Sequence, residues 1–146
     1  MLRVITSLNW VLGAFAIVLA LIFPYINQAV VISYMKTEGE AVVEALADGQ
    51  NATYEVNNKY IYFTSETNAV KSAMSNLNVD VSDSGYFKIA AYPTDEAALV
   101  IRAVTDPSAL RDGWVPATAY EYVIKNPGDT GKGEWISYSS QSPGLF

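Results

Sequence analysis

The sequence predicts an α+β fold in which one long N-terminal helix, transmembrane in its first half and amphipathic in its second, packs on a three- to four-stranded antiparallel meander. Three observations carry that expectation. Residues 4–35 contain no charged side chain. Ile32, Met35, Gly39, Val42 and Leu46 then recur at three- and four-residue spacing, an apolar helical stripe that must be buried. The C-terminal half instead alternates apolar and polar residues in short runs between Pro- and Gly-bearing turns, the pattern of strands with one covered face.

A bilayer core takes roughly 20 apolar residues of helix, and Val4 to Phe23 offers about that many. Thr6, Ser7 and Asn9 are the polar interruptions. The expected organisation is a transmembrane anchor over residues 1–24 and an extracytoplasmic domain over residues 25–146, which includes the amphipathic half of the helix. Arg3 precedes the span, whereas Glu38, Glu40 and Glu44 follow it closely after Lys36. The positive-inside rule then leaves the N-terminus in the cytoplasm and the acidic domain outside. Arg3, Asn9 and Trp10 are the expected membrane-interface anchors. Gly13, Ala16 and Ala20 are small enough to admit another helix, and Pro24 is expected to kink the rod. Phe23, Pro24 and Tyr25 are bulky where a signal peptidase needs small residues, so the anchor is expected to stay uncleaved.

Beyond the span the helix is expected to run to Ala47, with Asp48-Gly49 as its stop. Gly39 weakens a helix interior by about 1 kcal/mol, and close approach by a strand is the compensation expected. Lys36 and Glu40 stand at i, i+4 and can pair weakly. Tyr60–Phe63 reads as a short strand, and Ser65-Glu66 is the expected cap of a helix through Leu77. Tyr86–Tyr92 and Ala97–Thr105 form a predicted hairpin across Pro93-Thr94-Asp95-Glu96. Ala119–Lys125 and Glu134–Ser139 form a second across the turn from Asn126 to Gly133.

The composition excludes several chemistries. A formal net charge of −6 cannot neutralise a phosphate backbone, so no nucleic-acid partner is expected. Histidine and cysteine are absent, which removes His-based triads, Cys nucleophiles, thiolate zinc sites and imidazole haem ligation. No catalytic residue, cofactor or metal site is predicted. Asp80, Ser82, Ser84 and Gly85 imitate the start of a calcium loop, but its twelfth position is Ala91 instead of a glutamate, and a polar turn is the simpler reading. Asn51-Ala52-Thr53 is a glycosylation triplet of the kind that also arises by chance.

An apolar helix, a proline two-thirds of the way along its uncharged run, an amphipathic continuation and an antiparallel meander together resemble a type IV pilin or pseudopilin. The local match is Ala20-Leu21-Ile22-Phe23-Pro24-Tyr25-Ile26-Asn27-Gln28, similar to the segment where the pilin helix kinks. The resemblance implies a pilin-like roll, a bacterial inner-membrane location and a non-enzymatic structural role in a type IV pilus or pseudopilus-like filament. Two departures qualify it. Ser7 stands where a pilin carries a glutamate, and no glycine precedes Gly13 to mark a leader cleavage site. They favour an alternative, an uncleaved accessory subunit whose helix packs on a larger respiratory, photosynthetic or transport complex. Under either reading the expected partners are membrane lipid and other protein subunits.

Overall fold

A computed structural model describes residues 2–81, 85–106, 118–129 and 132–139, and leaves aside the side chains of residues 2–9, 24, 25, 27, 28, 138 and 139. Among the described residues two helices, α1 (Leu2–Asn57) and α2 (Thr67–Leu77), precede four strands, β1 (Phe87–Tyr92), β2 (Leu99–Thr105), β3 (Thr118–Ile124) and β4 (Glu134–Ser139). The strands form one antiparallel sheet in the order β1-β2-β3-β4. By contacts the chain divides into two compact units, Met1–Tyr34 and Met35–Phe146.

The transmembrane half of the expected fold is corrected. Among the described residues no helix is long and apolar enough to cross a membrane. The described stretch that is apolar throughout covers residues 10–23. Further along, Ser33, Lys36, Glu38 and Glu40 dilute the apolar character. The expected fold class, a pilin-like roll built on a half-transmembrane helix, gives way to helices with a four-stranded antiparallel sheet. The membrane anchor falls with it, as do the bacterial inner-membrane placement, the cytoplasmic N-terminus and the periplasmic or extracellular domain.

In the second unit the core forms where two periodicities meet. From α1 come Met35, Val42, Val43, Leu46 and Ala47; from the sheet come Phe87, Ile89, Ala91, Leu99, Ile101, Ala103, Tyr120, Tyr122 and Ile124, all buried. The strand residues share one face because the register sets Ile89 and Tyr120 on either side of Ala103, and Ala91 and Tyr122 on either side of Ile101. A β-carbon on Gly39 would lie 2.6 Å from Tyr120 Cε2 and 3.0 Å from Phe87 Cζ. That is closer than a side chain allows, so the helix reaches the aromatic layer only through glycine.

The expected stop at Asp48-Gly49 is also corrected, since α1 continues to Asn57. A β-carbon on Gly49 would stand 2.6 Å from Val79 Cγ2 and 3.2 Å from Leu77 Cβ, so this glycine serves packing and not termination. The left-handed residue after α1 is Asn58 (φ 52°), whose N–H donates to Tyr54 O at 2.8 Å. Asparagine tolerates that conformation nearly as glycine does. Asn78 (φ 54°) ends α2 in the same way, and Val79 N–H donates to Met74 O at 3.0 Å. Glu66 occupies the N-cap of α2 without a side-chain cap bond.

Tyr60–Phe63 is not a full strand. Only Phe63 pairs, exchanging backbone bonds of 2.8 and 3.0 Å with Ala91 at the β1 edge. The segment is held instead by Gln50, fully buried on α1. Its Nε2 donates to Ile61 O at 2.5 Å and its Oε1 accepts from Ile61 N–H at 2.8 Å. At the end of β2, buried Thr105 accepts from Thr118 N–H at 3.0 Å through Oγ1.

Candidate interaction surface

In the first unit the described side chains from Trp10 to Phe23 are exposed. Among the described side chains between Trp10 and Tyr34, thirteen large apolar or aromatic ones are exposed, including Trp10 at 81% and Phe23 at 70%. With large side chains contributing roughly 100 Å² or more each, they present on the order of 1,500 Å². A soluble monomer's largest apolar patch is usually about 300–600 Å². Helical geometry explains why no face is spared: an unbroken apolar run populates every direction around the axis.

The surface is not uniform. Trp10, Gly13, Ala14 and Ile17 line a shallow apolar notch. They stand at i, i+3, i+4 and i+7, the four positions that bound a hole for a neighbouring helix's side chain. Gly13 leaves open space, with nothing within 4 Å of where its β-carbon would be. Ala16 and Ala20 are exposed.

Of the residues singled out in the sequence, Gly13, Ala16 and Ala20 thus lie on this exposed helix, and Trp10 borders the notch. The side chains of Arg3, Asn9 and Pro24 lie outside the described residues, as does Ser7. Ile32 is half-buried. Met35, Val42 and Leu46 are buried in the second unit, where Gly39 faces Tyr120 and Phe87. Gln50 was missed. Its one signal was a polar residue in phase with the apolar stripe, four positions after Leu46.

Several polar groups of the second unit form pairs. Cross-strand partners Arg102 and Glu121 form an ion pair, Nε to Oε1 at 3.1 Å, on the sheet face opposite the core. The Nε–H is too poorly aimed to count as a hydrogen bond, so the contact is chiefly one of charge. Lys125 meets Glu134 at 2.9 Å, and that partner raises its pKa. Lys36 and Glu40 lie 3.8 Å apart on the exposed side of α1, a pair worth little in water. Tyr60 stacks on Tyr54 with ring centroids 4.4 Å apart. Burial pushes the Tyr60 hydroxyl above its ordinary value near 10, partly offset by the Gly128 N–H that donates to it at 3.4 Å.

Among the described residues no group of three or more His, Cys, Asp or Glu could hold a metal ion. Residues 82–84 of the calcium-like segment lie outside them. Asn51 of the glycosylation triplet is half-buried within α1. Compared with known protein families, with curated proteins and with solved structures, the chain matches none.

Proposed function

We propose that this chain is a non-enzymatic structural subunit whose residues 10–34 are buried among the same helices of other copies, in a filament of the type IV pilus or pseudopilus kind. The observation that supports the reading is the apolar surface of that segment. About 1,500 Å² is roughly twice what one partner buries in an interface of standard size. It is also spread around the helix, where a single flat contact cannot cover it. The resemblance of residues 20–28 to the kinking segment of a pilin helix points the same way.

The test exploits the absence of cysteine from the chain. With Phe23→Cys as the sole thiol, coupled to a benzophenone maleimide, irradiation traps whatever lies beside the helix, with or without a thiol of its own. Covalent dimers of the chain are the expected product. Cross-links to a different protein would replace the filament with an accessory subunit of a larger complex. A thiol that forms no protein cross-link and is reached only by lipid-soluble reagents would end the assembly reading.

A further inference from the structure

The two edges of the sheet differ. At the β1 edge Phe63 exchanges backbone bonds with Ala91, and Lys88 puts a charge on the strand; both are devices that keep an edge from pairing with another chain. β4 has neither. Among the described residues it pairs on one side only, with β3, and it contains no lysine and no proline. Its one charge, Glu134, is already met by Lys125 at 2.9 Å. Trp135 and Ser137 are exposed on the face that carries Tyr122 and Tyr120, and Glu134 is exposed on the other, so neither face is closed to a further strand. Trp135 packs edge-on against Tyr122, ring centroids 5.3 Å apart, and is still 46% exposed.

We propose that β4 pairs antiparallel with β4 of a second copy, centred on Ile136, and joins two four-stranded sheets edge to edge. Charge and register select this occupant. A parallel pair in register would set the two Glu134 carboxylates on strands about 5 Å apart. The antiparallel pair separates them by about 13 Å along the strand, beyond the screening length of about 8 Å in physiological salt. Opposed residues of a twofold antiparallel pair share a face, so both cores stay on one side of the joint sheet. With Ile136 on the axis, it meets its own counterpart and Trp135 meets Ser137. The two indoles are then diagonal neighbours, about 7–8 Å apart and within aromatic reach, and each covers apolar surface that the lone strand leaves in water. An axis at Ser137 would set them about 13 Å apart and leave both exposed. The strand is thus self-complementary in one register, which is what a twofold interface requires. The contact belongs to the second unit and stands whether or not residues 10–34 assemble. Residues 134–138 on each side fall far below the roughly 20–30 of a standard interface, so the pair is transient and fills by mass action.

Single thiols in the full-length chain, which lacks cysteine, read the register. Ile136→Cys stands opposite itself, with β-carbons about 4.5–5.5 Å apart, close to what a disulfide needs. Glu134→Cys and Lys88→Cys have no such counterpart. Under mild oxidation Ile136→Cys is expected to form covalent dimers at least about ten-fold faster than either. Equal rates, or a faster reaction of Ser137→Cys, would overturn the inference and leave the assembly of residues 10–34 untouched. Hydrogen exchange supplies a reading on the unaltered chain. The amides of residues 134–138 are expected to exchange more slowly as protein concentration rises over about a hundredfold range, while those of β1 do not change. Exchange in β4 that ignores concentration would overturn the inference. Ser137→Lys, at an exposed position, is expected to abolish the concentration dependence and keep the unfolding midpoint of the monomer. A dependence that survives this charge counts against the pairing.

Discussion

Replacing Gln50 by alanine tests whether one buried amide organises the chain after α1. The native side chain is fully buried and satisfies both backbone groups of Ile61, at 2.5 and 2.8 Å. Alanine strands an N–H and a C=O, each costing about 1–3 kcal/mol if water cannot replace the lost partner. Ile61 is half-buried, so water recovers part of that and the lower end applies. The truncated side chain also leaves a small void. Together these put the loss at about 2–3 kcal/mol. With a urea slope of about 1–3 kcal/mol/M, the unfolding midpoint should fall by roughly 1–2 M. Urea titration of the full chain, followed by far-UV circular dichroism, measures it.

Gln50→Glu separates hydrogen bonding from packing. The carboxylate still accepts from Ile61 N–H but sets a second anionic oxygen against Ile61 O, and burial further favours the neutral acid. The folded-state pKa of the introduced carboxyl is thereby raised above its unfolded value near 4.3. A raised value contributes stability that is complete below the unfolded pKa and lost as pH rises through the folded one. The deficit of Gln50→Glu relative to the unaltered chain should therefore shrink from pH 7 to pH 4. A Gln50→Ala midpoint within about 0.3 M of the unaltered chain, well inside the expected shift, would refute the reasoning. So would a Gln50→Glu deficit that grows on acidification.

Leu46→Ala, at a fully buried position, should cost about 2–5 kcal/mol in the same titration. Gly39→Ala should destabilise by about 1–3 kcal/mol despite alanine's better helix propensity, because its β-carbon meets the Tyr120 and Phe87 rings; an unchanged or higher midpoint would show that those rings give way freely. Tyr60 has a folded-state pKa raised by burial, so its contribution is complete below the ordinary phenol value near 10 and lost as pH rises through the folded value. Tyr60→Phe should accordingly flatten the alkaline fall in stability, visible in midpoints measured between about pH 9 and pH 11.

The strands were legible because their two-residue alternation is local: Phe87, Ile89 and Ala91 against Lys88 and Ala90, or Tyr120, Tyr122 and Ile124 against Ala119 and Glu121. Observed strand ends lie within two residues of the expected ones. The end of α1 was not legible. Asp48-Gly49 looks like a stop unless Val79 and Leu77 are known to lie against Gly49, and that contact spans some thirty residues of sequence. Gln50 was hidden for the same reason, since its partner Ile61 sits in a segment that reads as strand. Glu121 reads as solvent-facing, yet it is buried to 9% exposure beside Arg102, because the sheet brings a cation opposite it. The apolar run of residues 10–23 was visible at once, but hydropathy alone does not say whether lipid or protein is to cover it.

The buried apolar side chains described all lie between Met35 and Ile124, and none lies between Trp10 and Tyr34. The second unit thus closes a core from its own part of α1, from α2 and from the sheet. The apolar effect scales with area removed from water, so among the described residues the demand for a partner is concentrated in residues 10–34. Two consequences separate folding from assembly. Substitutions such as Leu46→Ala should lower the unfolding midpoint without changing the size of assemblies formed by the folded chain. Substitutions such as Phe15→Ala/Leu19→Ala should reduce assembly without moving that midpoint once both chains are compared as monomers. An unfolding midpoint that is concentration-independent in the Phe15→Ala/Leu19→Ala chain, but rises with concentration in the unaltered one, is the thermodynamic signature of that division.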